Sequence, residues 1–114
     1  MHEMPINSKL FEEYIKKNGL FEKAREYLKE YLEIWWKEEP DFFLEFMEAP
    51  YEKVIKEYRF LDKIVSVEKN FSYEPPRDYL SVCISVRDEK NSYFGQYTVS
   101  LDFSFERIED VLTM

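Results

Sequence analysis

Residues 80–105 read LSVCISVRDEKNSYFGQYTVSLDFSF, and apolar and polar side chains alternate through most of this segment. The alternation covers residues 80–87 and returns over residues 93–105. A period of two residues is typical of a strand with one face in the core and the other facing outward. The intervening residues 88–92 are rich in turn formers, so the two strands are predicted to form an antiparallel hairpin.

A third strand is predicted ahead of this hairpin, because the period of two also holds from residue 63 onward. Pro75 and Pro76 predict the turn that separates this strand from the next one. Its predicted apolar face consists of Val65, Val67, Phe71 and Tyr73. Three such strands in succession predict an antiparallel meander.

Upstream of the strands, the apolar residues recur every three or four positions, which predicts helices. Asn7 and Ser8 are good N-cap residues for a first helix, and Gly19 is suited to end it. A longer second helix is predicted over residues 20–38. Another helix is predicted to follow Pro50, and its apolar face would consist of Tyr51, Val54, Ile55, Tyr58 and Leu61.

Two segments carry a less regular pattern. Residues 41–49 fit a helix with Phe42, Phe43, Phe46 and Met47 on one face, but Phe42, Leu44 and Phe46 also fit one side of a strand. A strand there would be the fourth of the sheet. In the tail, residues 107–114 have apolar positions at helical spacing, so a last helical turn is predicted; these positions are Ile108, Val111 and Leu112.

Helices followed by a strand meander predict the α+β class. The expected architecture is two or three N-terminal helices packed on one face of a C-terminal antiparallel meander of three to four strands. We expect a single domain over residues 1–114, with residues 1–5 as a loose lead-in. The order of elements resembles the layouts of the cystatin-like and NTF2-like folds. The resemblance is one of layout alone, and it carries over no function.

Composition excludes several classes of function. The chain has 114 residues with 16 basic and 24 acidic side chains, a net charge of -8, which argues against nucleic acid and anionic membranes as partners. His2 is its one histidine and Cys83 its one cysteine, so triads of the Ser-His-Asp and Cys-His types are excluded. We expect no metal and no cofactor, and a non-enzymatic role is favoured over an enzymatic one. The lone cysteine and the lack of a signal-peptide pattern or a membrane span predict a cytoplasmic protein.

Two surfaces are candidates for binding a protein partner. One is an acidic stripe on the long helix, made of Glu22, Glu26, Glu30 and Glu33. The other is the polar face of the sheet, for which the candidate residues are Tyr79, Phe94, Gln96 and Thr98. These surfaces predict a small acidic interaction protein that binds a basic protein partner, in the manner of an immunity protein, an antitoxin or an inhibitor.

Two alternatives remain open. The first is a cystatin-like or NTF2-like domain that binds a small ligand or acts as an enzyme through a pocket between helices and sheet. Its candidate residues are Trp35, Trp36, Phe42, Phe46 and Tyr97, with Asp102 as the polar group. The second is a homo-oligomer joined through the polar sheet face or an open sheet edge.

Overall fold

The computed structural model describes residues 7–114; the predicted lead-in at residues 1–5 and His2 lie outside the described residues. The described chain forms four helices and then four strands. These are α1 (Ser8–Lys17), α2 (Leu20–Glu38), α3 (Pro40–Met47), α4 (Tyr51–Glu57), β1 (Arg59–Asn70), β2 (Arg77–Arg87), β3 (Tyr93–Leu101) and β4 (Arg107–Thr113). The strands form one antiparallel sheet in the order β1-β2-β3-β4. The predicted α+β class, with helices packed on the sheet, is confirmed.

The first two helices begin and end where their capping residues predict. The Asn7 side chain accepts a hydrogen bond from the Leu10 backbone N–H at 3.0 Å, which satisfies one of the free donors at the helix start. Gly19 has φ 57°, in the left-handed region that lets the chain turn from α1 into α2. The side of α2 that faces the core carries Leu20, Ala24, Leu28 and Leu32, all fully buried.

The core lies between α2 and the inner face of the sheet. On β2 and β3, the alternating apolar positions are fully buried or nearly so, and they pair across the strands as Ile84 with Tyr97 and Val82 with Val99. On the outer face, which no described helix covers, the corresponding positions carry Ser81, Ser85, Thr98 and Ser100. The predicted core-facing positions are confirmed over most of both strands, at Leu80, Val82, Ile84, Val86, Tyr97, Val99 and Leu101.

Residues 41–49 contain a helix and no strand, which settles the first of the two irregular segments. Pro40 lies in the first turn of α3, where its missing N–H costs nothing. Phe43 and Met47 are fully buried, and the Phe43 ring lies 5.1 Å from that of Trp35 and 5.2 Å from that of Trp36. A fourth strand at residues 42–47 is therefore wrong, and the helix packs Phe43 against both tryptophans.

The fourth strand is β4, and the predicted helical turn in the tail is wrong. Ile108, Asp110 and Leu112 are each partly buried while their neighbours are exposed, so the tail has the period of a strand. An aspartate at a partly buried position hides this alternation in the sequence. Pairing with β3, as in Thr98 opposite Val111, supplies the backbone hydrogen bonds that an isolated segment of seven residues lacks.

The third strand ends at Leu101 instead of continuing to residue 105. Asp102 instead begins a five-residue hairpin loop, in which its Oδ1 accepts hydrogen bonds from the backbone N–H groups of Ser104 (2.8 Å) and Glu106 (3.0 Å). The predicted loop at residues 88–92 has the same arrangement, with Asp88 Oδ1 bonded to the N–H groups of Lys90 and Ser92. In each loop the fourth residue is left-handed, with φ 62° at Asn91 and 68° at Phe105.

The β1–β2 hairpin extends beyond the rest of the sheet. α4 ends at Glu57 and β1 begins at Arg59. Leu61 therefore belongs to the strand and not to the predicted helix face. Phe71 and Tyr73 lie in the connection beyond Asn70, 76% and 48% exposed, so their predicted place on the strand face is wrong. The radius of gyration is 16.0 Å, against roughly 13 Å for a compact chain of this length.

None of the helices within residues 7–114 has the length and apolar character needed to cross a membrane.

Candidate binding site beside the last strand

A cavity of about 430 Å³ opens between the C-terminal half of α2 and β4. We call it the inner cavity, because it lies on the helix side of the sheet. Its lining residues are Tyr31, Ile34, Trp35, Glu38, Glu39, Arg107, Ile108, Glu109 and Asp110. Ile34 is 44% exposed, so the cavity has an apolar wall that solvent reaches.

Tyr97 and Asp110 join the inner cavity to the core. Tyr97 is fully buried, and its hydroxyl donates a hydrogen bond to Asp110 Oδ2 at 2.6 Å. The β3–β4 register brings them together, since Asp110 pairs with Val99, two residues along the strand from Tyr97. Burial raises the pKa of Tyr97 strongly, and the hydrogen bond to Asp110 raises it further. The phenol therefore stays protonated and holds the Asp110 carboxylate in place.

Tyr31 and Trp35 form the aromatic wall of the inner cavity. The Tyr31 ring lies 5.8 Å from that of Tyr97 and 6.4 Å from that of Trp35, both in edge-to-face arrangements. Burial, and then the negative charge of Asp110, raise the pKa of Tyr31 above its ordinary value. At neutral pH this hydroxyl is therefore an uncharged hydrogen-bonding group beside a carboxylate.

Arg107 is the basic side chain among the described residues that line the inner cavity. Its guanidinium lies 3.5 Å from Asp110 Oδ2, 3.8 Å from Glu30 Oε1 and 5.3 Å from the centre of the Tyr27 ring. It therefore offsets part of the charge of two carboxylates. Glu38, Glu39 and Glu109 line the same cavity, so its carboxylates outnumber its basic side chains.

The acidic surface continues towards the N-terminal half of α2. A cavity of about 310 Å³, here called the lower cavity, is lined by Lys23, Glu26, Tyr27, Glu30, Ser104, Phe105 and Glu106. The ion pair between Glu30 and Arg107 connects it to the inner cavity. Both cavities lie between α2 and the β3–β4 hairpin, and we call them together the acidic groove. Among the described residues that line this acidic groove, seven carboxylates face two basic side chains.

Only part of the predicted acidic stripe belongs to this groove. Glu26 and Glu30 line the lower cavity. Glu22 lies 3.7 Å from Arg25, and Glu33 lies 2.9 Å from Lys37. These two carboxylates are therefore paired with basic side chains of the same helix.

A second surface lies on the other side of β4. A cavity of about 360 Å³ on the outer sheet face is lined by Glu68, Tyr79, Ser81, Thr98, Ser100, Glu109, Asp110 and Val111. We call it the outer cavity. Among the described residues that line it are three carboxylates and no basic side chain. The hydrogen bond to Glu68 is the largest cause of a raised pKa at Tyr79.

The four residues predicted for the polar sheet face are divided by the structure. Tyr79 and Thr98 line the outer cavity, and Gln96 accepts a hydrogen bond from Lys63 Nζ at 2.7 Å. Phe94 instead packs on the core, with its ring 5.6 Å from that of Tyr58. The register shifts between Val86 and Arg87, so the alternation of β3 does not carry through to Phe94, and its predicted place on the polar face is wrong.

The six residues predicted for a ligand pocket do not surround one cavity. Trp35 lines the inner cavity, whereas Trp36 and Phe46 belong to the aromatic cluster around Phe43 and Trp35. Phe42 is 58% exposed and Tyr97 is buried in the core. Asp102 is held in its hairpin loop, so its predicted place on a strand face is wrong. Within residues 7–114, no three His, Cys, Asp or Glu side chains are grouped so as to hold a metal ion.

The site residues that the sequence analysis does not predict include Asp110, Arg107 and Tyr31, together with Glu38, Glu39 and Glu109. Arg107 and Asp110 lie in the tail for which the sequence predicts a helical turn. The sequence signal for this last strand is the alternation of Ile108, Asp110 and Leu112. It can be recognised only if Asp110 is assumed to face inward and to have a polar partner inside the fold.

Comparisons with protein-family models, with curated proteins and with solved structures found no match to this chain.

Proposed function

We propose that this protein is a cytoplasmic, non-enzymatic interaction protein that binds a basic protein partner, in the manner of an immunity protein, an antitoxin or an inhibitor. The observation that carries the proposal is the acidic groove, where seven carboxylates face two basic side chains beside an aromatic wall. Such a surface suits Lys and Arg side chains better than nucleic acid or an anionic membrane.

The inner cavity offers a lysine or arginine side chain two favourable interactions. Glu38, Glu39 and Asp110 provide negative charge, while Tyr31 and Trp35 provide aromatic rings at the same cavity. A cation over an aromatic face gains about 0.5–1 kcal/mol at an exposed site and more when it is desolvated. The combination favours a cationic group with an apolar stem, which describes both basic side chains.

The net charge of -8 supports the approach of such a partner. Charges outside the contact act mainly on the rate of encounter, and salt screens them within about 10 Å at 0.1 M ionic strength. The acidic stripe of Glu22, Glu26, Glu30 and Glu33 would contribute in this way. Glu26 and Glu30 are the members that also line the acidic groove.

The test is affinity capture of partners from the source cell's lysate at low and high salt, with quantitative mass spectrometry. We compare the wild type with E38Q/E39Q and with a control of equal charge change, E13Q/E45Q, whose glutamates are exposed on α1 and α3. A stoichiometric basic partner should bind the wild type and the control. Binding to E38Q/E39Q should be at least tenfold weaker, because these two carboxylates would contact the partner's basic side chain and those of the control would not. Failure to capture a basic partner, or equal capture by all three proteins, would contradict the proposal.

A second candidate is a small cationic ligand in the inner cavity, favoured by a volume of about 430 Å³ that lies within the usual range of small-molecule pockets. Trp35 lines this cavity, so tryptophan fluorescence should respond to occupancy. Titration with arginine, spermidine and choline tests this candidate. No change with any of the three, in a protein that captures a basic partner, would exclude it.

A further inference from the structure

We propose that the partner binds as an extended segment that adds to β4 as a fifth strand, and that this segment carries two adjacent basic residues. The inference rests on the proposed function, since it names the form in which a basic partner meets the acidic site. It goes further by defining a backbone interaction and a sequence pattern.

The first support is the position of β4 in the sheet. β4 pairs with β3 on one side, and no described strand lies on its other side. With seven residues, Arg107–Thr113 is long enough to pair with a peptide. α2 packs chiefly over β2 and β3. An edge strand of this kind presents alternate backbone N–H and C=O groups that a further strand can use. On β4 these groups are offered by residues 107–111, since the Leu112 backbone is hydrogen-bonded to the Tyr31 hydroxyl.

The second support is that a cavity lies on each side of β4. The inner cavity is on the helix side and the outer cavity is on the uncovered side, and Glu109 and Asp110 line both. Successive side chains of a strand point to opposite faces of a sheet. Two adjacent basic residues in an added strand would therefore enter one cavity each.

Both cavities have the charge that this pattern requires. The first basic side chain would meet Glu38, Glu39 and Asp110 beside Arg107 in the inner cavity, and the second would meet Glu109 at the β4 side of the outer cavity. A helical partner would present its basic residues to one face only. The presence of carboxylates on both sides of one strand is what favours the extended form.

The experiment uses synthetic peptides and the full-length protein. The first probe is an end-blocked peptide of sequence Thr-Val-Thr-Lys-Lys-Val-Thr-Val. Two further probes have the same sequence but carry backbone N-methyl groups at either the odd or the even positions. A basic amphipathic helical peptide of equal charge is the fourth. Binding is measured by calorimetry, and the protection of β4 amides is followed by NMR.

We expect the first peptide to bind and to increase the protection of β4 amide protons. One N-methylated peptide should bind at least tenfold more weakly and the other within about twofold of the parent, because only alternate N–H groups of an added strand face its neighbour. E38Q/E39Q and E68Q/E109Q should each weaken binding, whereas E13Q/E45Q should not.

Equal binding of both N-methylated peptides, or no effect of E68Q/E109Q, would overturn the added-strand inference. Binding of the helical peptide without the extended one would overturn it too, but the proposed function would stand. If no peptide binds and the lysate capture also yields no basic partner, both proposals fail.

Discussion

At the scale of single residues, the hydrogen bond between Tyr97 and Asp110 connects the folding core with the site. The fully buried phenol places its hydroxyl 2.6 Å from the Asp110 carboxylate. Arg107 shares that carboxylate at 3.5 Å and also approaches Glu30. The buried Tyr97 side chain therefore helps to position the Asp110 carboxylate, which lines both the inner and the outer cavity.

Alkaline pH should reveal the buried Tyr97. Its pKa is raised in the fold by burial and by the bond to Asp110, whereas an unfolded tyrosine ionises near pH 10. The folded state therefore retains a proton that the unfolded state loses, so stability should be constant below about pH 10 and fall above it. Chemical denaturation at pH 8, 9.5 and 11 measures this.

Two tyrosine variants test whether Tyr97 causes the loss of stability at alkaline pH. Y97F should make the alkaline decrease shallower and lower the free energy of unfolding at pH 7 by about 1–3 kcal/mol, because Asp110 loses its buried donor. Y93F is the matched control, since that ring is exposed. If Y93F and Y97F have the same pH profile, Tyr97 does not cause the alkaline decrease.

At the scale of elements, two hairpin loops with the same hydrogen bonds determine where β2, β3 and β4 turn. Asp88 and Asp102 each accept two backbone N–H bonds at the start of a five-residue loop. Asn91 suits the left-handed position of the first loop, but Phe105 is an unusual residue there. Two contacts hold Phe105 in this conformation. Its carbonyl accepts a hydrogen bond from the Tyr27 hydroxyl at 3.1 Å, and its ring lies 6.3 Å from that of Tyr14.

The two aspartates provide a matched pair of variants. D102A should loosen the β3–β4 hairpin and speed hydrogen exchange in β4, while D88A should act on the β2–β3 hairpin and leave β4 unchanged. Each variant should lower the free energy of unfolding by about 1–2 kcal/mol, because charge-assisted hydrogen bonds are lost. Hydrogen exchange read by mass spectrometry separates the two, and unchanged exchange of β4 in D102A would contradict the role given to Asp102.

At the scale of the whole molecule, the compact helix-covered part of the sheet contrasts with the projecting β1–β2 hairpin. The pairing of β1 with β2 continues to Asn70 opposite Arg77, whereas the pairing of β2 with β3 ends at Leu80 opposite Leu101. At the end of this hairpin β2 therefore pairs with β1 alone, and β3 does not reach it. The overall dimensions of 48 × 33 × 24 Å reflect this extension.

The projecting end should contribute little to stability. F71S should change the free energy of unfolding by less than about 0.5 kcal/mol, because the ring is 76% exposed. F43A should lower it by about 3–5 kcal/mol, because that ring is fully buried in the aromatic cluster. Urea denaturation of both variants tests the contrast. A loss above 2 kcal/mol in F71S would mean that the hairpin end packs on a second copy of the chain.

Much of the fold follows from local pattern, and the remainder does not. The caps of α1, the length of α2 and the alternation of β2 and β3 are visible in the sequence, because each depends on neighbours within a few residues. α3 is a helix because Phe43 packs against Trp35 and Trp36, and no local period indicates this contact.

The site shows the same division. The net charge of -8 and the single histidine of the chain could be derived from composition, since these depend on counts of residues and not on their positions. Composition could not predict the hydrogen bond between Tyr97 and Asp110. Nor could it predict that carboxylates lie on both sides of one edge strand. They arise from the pairing of β3 with β4 and from the packing of α2 above them. Contacts between residues far apart in the chain leave no periodic trace in its sequence.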